Sequence, residues 1–272
     1  MAAVMAPEPM SAALATPASR HIGPHPLHAP AVWQDWLSQR STAGVESADI
    51  VPASRRLVVV APHPDDELLA CGLLLQAHVQ QGGSVLIVGV TDGEASHAGD
   101  PAWPEPALAA ARRDERLAGL RALGVPDAAL RLLGFSDGGV TAAQAALSHA
   151  LQQLLRPGDV VVSTWRLDGH PDHEACGRAA AEAASAVGAD LWEAPVWMWH
   201  WADPSHPQIP WHRLRVLRPP RLHSALAVTR KAQALACHLS QLAPRAGGQG
   251  PVLDDAIAQR AGWPFETLFA PA

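Results

Sequence analysis

The chain has 272 residues, 48% of them hydrophobic and 17% charged, with a formal net charge of -6. That length suits one large α/β domain, and that composition excludes a disordered or coiled-coil protein. The acidic balance offers no basic face for nucleic acid or an anionic membrane, which leaves a small molecule as the expected partner.

Residues 1–50 open with an Ala/Pro-rich stretch that lacks the charged-then-apolar order of a signal peptide, and they are read as a flexible extension of a cytoplasmic protein. No apolar run approaches the length of a membrane span. Cys71, Cys176 and Cys237 stand singly, without C-x-x-C spacing, and read as small buried hydrophobes in a reducing compartment. A homo-oligomer is compatible with all of this.

From residue 51 onward a single catalytic domain is expected. Short β-branched runs at 57–61, 84–90, 130–133, 160–163 and 191–196 alternate with alanine-rich helical stretches near 66–81, 106–123, 141–155 and 173–187. This rhythm predicts a Rossmann-like three-layer α/β sandwich, a mostly parallel sheet with helices on both faces. Gly82-Gly83, Gly124 and Gly188 stand where helix C-caps belong. A further strand is expected over 211–217 and a helix over 225–242, followed by a Gly/Pro-rich loop over 244–251.

Two motifs carry chemistry. Ala61-Pro62-His63-Pro64-Asp65-Asp66-Glu67 follows the first predicted strand, and Asp168-Gly169-His170-Pro171-Asp172-His173-Glu174 follows the fourth. In the doubly wound strand order 3-2-1-4-5 these strands are neighbours, and the crevice at their carboxyl ends is the switch point where such sheets bind ligands. Helix capping explains a proline and one acidic residue, but not His63 beside three successive carboxylates. His63 and Asp66, three apart at a helix start, can turn the same way, and one histidine of the second motif would complete a three-ligand zinc site. Lone histidines such as His78, His97, His149, His21, His25 and His28 read as structural.

With one zinc per chain in place, Asp65 is the carboxylate left to act as general base on an attacking water. A second imidazole, His170, held protonated by Asp172, would face the oxyanion of a tetrahedral intermediate. Two other functions compete. A metal-dependent phosphoesterase usually needs two metals and more ligands than converge here. A non-catalytic metal-containing protein on the same fold would not need a free carboxylate such as Asp65.

These motifs resemble the PIG-L/LmbE-type family of zinc-dependent N-acetylglucosamine de-N-acetylases, which includes enzymes of mycothiol and bacillithiol synthesis. The likeness runs from about residue 57 to 241 and takes in Thr91-Asp92-Gly93-Glu94, Arg112 with Glu115, Phe135-Ser136-Asp137-Gly138 and His238-Leu239-Ser240-Gln241. It implies zinc on His63, Asp66 and His173, Asp65 as base and His170 facing the oxyanion, and it suggests Arg112 as a substrate contact, the alternative being a surface arginine paired with Glu115. The expected reaction is removal of an N-acyl group, N-acetyl above all, from a sugar-containing small molecule. The chain contains no tyrosine, a departure from the thiol-cofactor branch. Trp165 and Arg166 occupy the comparable loop and are candidate substrate contacts. In Trp197-Met198-Trp199-His200-Trp201 an extended backbone would align three indoles. Packing is the favoured role of Trp197 and Trp199, while His200 is a candidate for the pocket wall.

Overall fold

A computed structural model describes residues 19–40, 44–218 and 224–271. In chain order its elements are α1 (Pro30–Gln39), β1 (Gly44–Val45), α2 (Ser47–Ile50), β2 (Leu57–Ala61), α3 (Asp66–Gln80), β3 (Val85–Gly89), α4 (Glu105–Ala122), β4 (Leu130–Leu132), α5 (Gln144–Leu154) and β5 (Val160–Thr164). They continue with α6 (Pro171–Val187), β6 (Asp190–Ala194), α7 (Met198–Trp201), β7 (Leu214–Leu217), α8 (Ser224–Leu235), α9 (Leu239–Leu242), α10 (Asp255–Ala261) and β8 (Glu266–Phe269). The strands form one sheet in the order β1-β7-β8-β6-β5-β2-β3-β4, parallel except where β8 runs against β6 and β7. Its β4-β3-β2-β5-β6 half is the doubly wound order expected from the sequence.

Period-two alternation on β2 divides the core. Leu57 and Val59 enter a cluster with Leu68, Leu74, Leu120 and Leu123 from α3 and α4, whereas Val58 and Val60 meet Leu147, Leu151 and Ala175 to Ala184 of α5 and α6 on the other face. Strands buried on both faces read as continuous β-branched runs, which is why Val-Val-Val recurs in β2 and β5. Gly188 takes the left-handed conformation at the end of α6, as its C-cap position predicts. Among the described residues no helix is long and apolar enough to cross a membrane.

Three expectations change. The extension read through residue 50 is not all loose. Trp33 on α1 is fully buried, its indole Nε1 donating to the Trp199 carbonyl at 3.1 Å, and β1 pairs with β7. The burial of one indole in a cluster with Trp199, Trp201 and Trp263 anchors this segment despite its poor local pattern; residues 1–18 lie outside the described ones. The helix expected over 225–242 is two, α8 and α9, parted around His238. The 197–201 segment is helical, not extended, so its indoles do not align.

Candidate active site

The first motif leaves β2 at Ala61 and the second leaves β5 at Thr164, and these strands pair in register with Val60 opposite Ser163. The sheet therefore brings together histidines and carboxylates 110 residues apart in sequence. Nδ1 of His63 lies 3.2 Å from Oδ2 of Asp66, Nε2 of His173 lies 3.2 Å from the same oxygen, and the two ring nitrogens are 3.3 Å apart. Tetrahedral zinc with bonds of about 2.0–2.1 Å separates its ligand atoms by about 3.3 Å. The triangle has the size that such a metal requires.

The outer nitrogens support the same reading. His173 Nδ1 meets Asp168 Oδ2 at 2.8 Å and His63 Nε2 meets Asp137 Oδ1 at 3.1 Å. A carboxylate behind each imidazole fixes its tautomer and turns the other nitrogen's lone pair toward a metal. Asp168 is fully buried and also accepts the backbone N–H groups of Val196, Trp197 and Met198, so the start of α7 is tied to the same carboxylate. A second grouping, His63 with His170 and Asp172, is also compact. Its carboxylate and one ring nitrogen are already in use, because Asp172 accepts from the Gly138 and Val140 amides at 2.7 and 3.2 Å and His170 Nδ1 accepts from the Asp172 amide at 3.3 Å.

The charges follow this geometry. Burial alone would lower His173, but Asp66 and Asp168 raise it to about 9. His63 is likewise raised against its burial by Asp137, Asp172 and Asp66, while Asp66 is held well below the usual carboxylate range by the two imidazoles despite its burial. Burial pushes Asp65 up to about 7, with the Arg112 guanidinium opposing.

Asp65 stands at the N-cap of α3 with φ of 113°, a left-handed conformation that costs a non-glycine residue about 1–3 kcal/mol. Arg112 holds it there. The guanidinium is buried and donates to the Pro64 and Gly93 carbonyls at 2.9 and 2.7 Å and to Asp65 Oδ2 at 3.2 Å. Glu115 instead receives the amide and hydroxyl of Ser240. Glu67, third carboxylate of the first motif, is fully buried in a two-pronged pair with Arg116. It pins α3 to α4 and does not face the cleft.

A cleft of about 300 Å³ opens over these groups, with His63, Asp65, Asp66, Arg112, His170 and His173 in its wall. Leu69, Trp197, Val252 and Leu253 form an apolar side, and Ser96, Asp137, Gln241 and Arg245 a polar one. Trp197 packs against the core as expected, but it is only half-buried and also reaches the cleft, its ring stacked 6.5 Å from that of His170.

Three predicted contacts are elsewhere. Trp165 is buried against Trp201 and Phe269. Arg166 turns to Glu193 with bonds of 2.7 and 2.9 Å. His200 is buried and meets the Gly23 carbonyl at 2.9 Å. Each has a partner on the far side of the loop, so none is left to face a ligand. The expected Asp172–His170 pairing is also corrected. The Asp172 carboxylate serves backbone amides and His63, and burial, reinforced by His173 and His63, pushes His170 down to about 3. His170 is therefore a neutral imidazole whose Nδ1 accepts, which leaves the proton on Nε2.

Sequence reasoning assigned no role to Asp137, Asp168, Gln241 or Arg245. The first three lie in quoted motifs, and for Asp137 and Asp168 the available signal was a carboxylate next to glycine shortly after a strand. The second motif is also strapped from outside. Arg20 donates to Glu174 at 3.0 Å, Glu174 accepts the Gly169 amide at 3.1 Å, and Gly169 has φ of 97° with Trp201 and Arg20 so close that a Cβ would lie 2.6 and 2.8 Å from them.

The family profile described as GlcNAc-PI de-N-acetylase (PIG-L) matches residues 58–184. A 1D-myo-inositol 2-acetamido-2-deoxy-alpha-D-glucopyranoside deacetylase of Catenulispora acidiphila is 32% identical over 189 residues, 57% of each chain. The chain thus spans little more than half the length of that relative. A probable N-acetyl-alpha-D-glucosaminyl L-malate deacetylase of Bacillus anthracis is 26% identical over 77% of this chain and 91% of its own length. Among solved structures, a zinc-inhibited form of teicoplanin deacetylase superposes with a TM-score of 0.57 at 21% identity, covering 79% of this chain and 97% of that one. At that identity the likeness is one of fold.

Proposed function

We propose that the chain is a member of the PIG-L family, whose profile matches residues 58–184, and that it is a zinc-dependent amide hydrolase that removes an N-acetyl group from a small sugar-containing substrate. The observation that carries this reading is the 3.2–3.3 Å triangle of His63, Asp66 and His173 with the buried carboxyl of Asp65, outside that triangle, in the same cleft. The named relatives act on N-acetylated glucosaminides, and the family is metal-dependent. An acidic, cytoplasmic protein without nucleic-acid or membrane partners belongs to the same reading.

His63, Asp66 and His173 would hold the metal, which when bound acidifies a water and polarises the acyl carbonyl. Asp65 is the group that takes the proton of the attacking water and returns it to the leaving amine. Its elevation to about 7 puts it near the point where a general base works best at neutral pH. Arg112 keeps that carboxyl in its left-handed position. His170 donates from Nε2 to the oxygen that gains charge, as a neutral imidazole, so no alkaline limb arises from its deprotonation. Trp197 and Leu253 supply the apolar face against which a sugar ring can lie.

Metal-loaded protein offered a panel of N-acetylglucosaminides is expected to release acetate in step with free amine. Release of phosphate from sugar phosphates, with no acetate from any N-acetyl compound, would overturn the reading.

Metal uptake should also be proton-coupled. His173, raised to about 9, is protonated at neutral pH in the metal-free protein and must give up that proton to bind a metal. Apparent affinity should therefore rise as pH increases from neutrality toward about 9, with proton release visible in calorimetry across buffers of different ionisation enthalpy. A pH-independent affinity over that range would contradict this ligand assignment.

A further inference from the structure

Arg260, on the last turn of α10, carries a guanidinium that the fold buries without a partner. The residue is 8% exposed, and among the described residues neither Nη1 nor Nη2 has a hydrogen-bond partner. Other buried arginines are matched, Arg112 by Asp65 and Arg116 by Glu67. The two carboxylates whose charge reaches Arg260 are Asp254 and Asp168, and both are committed elsewhere. Asp254 caps α10 by accepting the Ile257 amide at 2.8 Å, while Asp168 holds His173 Nδ1 and the amides of Val196, Trp197 and Met198. Burial lowers Arg260 to about 10 against the pull of those two charges, so the group is a cation at neutral pH.

This guanidinium lines a pocket of about 40 Å³ bounded by α3, the turn after β6, α8, α10 and β8. The pocket is separate from the catalytic cleft, and Leu69 is the one residue that lines both. Its other cation, Lys231, is matched, with Nζ 2.6 Å from Glu266 Oε1, and Glu266 also accepts the Leu73 and Leu74 amides at 2.7 and 3.1 Å. Once that pair is set aside, the wall carries one positive charge among apolar side chains such as Val196, Ile257 and Phe265. An unpaired buried charge is costly, and water can satisfy its N–H groups without neutralising it. Room of about 40 Å³ is little more than one water's share of the liquid, so a single small ion fits and an anion the size of a sugar acid does not.

We propose that this pocket is a binding site for one small monovalent anion, chloride or a short carboxylate, held by the Arg260 guanidinium and tying α10 to the turn after β6 and to β8. The site makes no use of the chemistry assigned to the catalytic cleft. A guanidinium presents its N–H groups in a fixed fork, which suits either kind of anion.

Thermal unfolding at constant ionic strength tests this, with gluconate replaced stepwise by chloride or by acetate. Holding the ionic strength removes the general screening that a chain of net charge -6 feels in any salt. In wild type at least one of the two anions should raise the midpoint along a saturating curve by about 3–10 °C, the shift for a ligand that binds the folded state alone at about 10 to 100 times its Kd. Which anion does so identifies the source. Arg260→Met keeps the length of the side chain without its charge and should abolish the shift. Equal midpoints for wild type in all three anions, the result for a pocket that holds water alone, would overturn the proposal, as would an undiminished shift in Arg260→Met. Should that variant misfold, wild-type crystals grown with bromide and with acetate decide. An anomalous peak or planar carboxylate density within hydrogen-bond reach of an Arg260 Nη supports the site, and the absence of both overturns it.

Discussion

Asp65→Asn is expected to keep its full equivalent of metal and lose about 10²- to 10⁴-fold in kcat, the usual worth of a positioned general base. The side chain takes no part in the His63–Asp66–His173 triangle, so the ligand set is intact without it. An asparagine keeps the size of the group and an oxygen for Arg112 Nη2, which lies 3.2 Å from Asp65 Oδ2 in the native protein. What it cannot do is accept a proton. Metal content by elemental analysis and kcat on one substrate check both halves. Loss of the metal together with activity would make Asp65 a ligand, and unimpaired turnover would move the base elsewhere. A variant that only unfolded would be exposed by its melting curve, and Asp65→Glu offers a second probe that keeps the carboxyl while displacing it.

The positions of the proposed metal ligands were legible in the sequence because they hang on the most regular part of the fold. Val58 to Val60 and Val160 to Val162 are β-branched runs buried on both faces, and a parallel pairing between two such strands puts their following residues side by side. No comparable rule governed Trp165, Arg166 and His200. Their neighbours in the fold, Phe269, Glu193 and Gly23, come from distant strands and from the N-terminal segment, and local spacing contains no trace of them. The same holds for α1, whose buried Trp33 and Leu37 pack against indoles and side chains from the far end of the chain, and for Arg245, placed by a Gly/Pro-rich loop that has no periodicity to read. Asp172 was placed correctly at the switch point but given the wrong partner, since its oxygens meet the amides of Gly138 and Val140 after β4, a contact that only the folded sheet creates.

The largest separation of effects should come from the two histidines of the second motif. His173→Ala removes a corner of the triangle and leaves Asp168, a fully buried carboxylate, without the imidazole it meets at 2.8 Å. Sharply weakened metal binding is expected, and with it nearly complete loss of hydrolysis. His170→Ala should leave metal content unchanged, because Nδ1 of that ring is occupied by the Asp172 amide and its other nitrogen is not part of the triangle. Loss of a donor to the developing oxyanion then costs about 10²- to 10³-fold in kcat. The neutral state of His170, pushed down to about 3, sharpens the contrast. His170→Gln retains an N–H at similar reach and should recover part of the lost rate, which an imidazolium acting through its charge would not permit. Equal loss of metal in both alanine variants would show that His170 also binds it. Metal loss in His170→Ala alone would transfer the site to the grouping of His63, His170 and Asp172, with His173 left as the residue that faces the substrate.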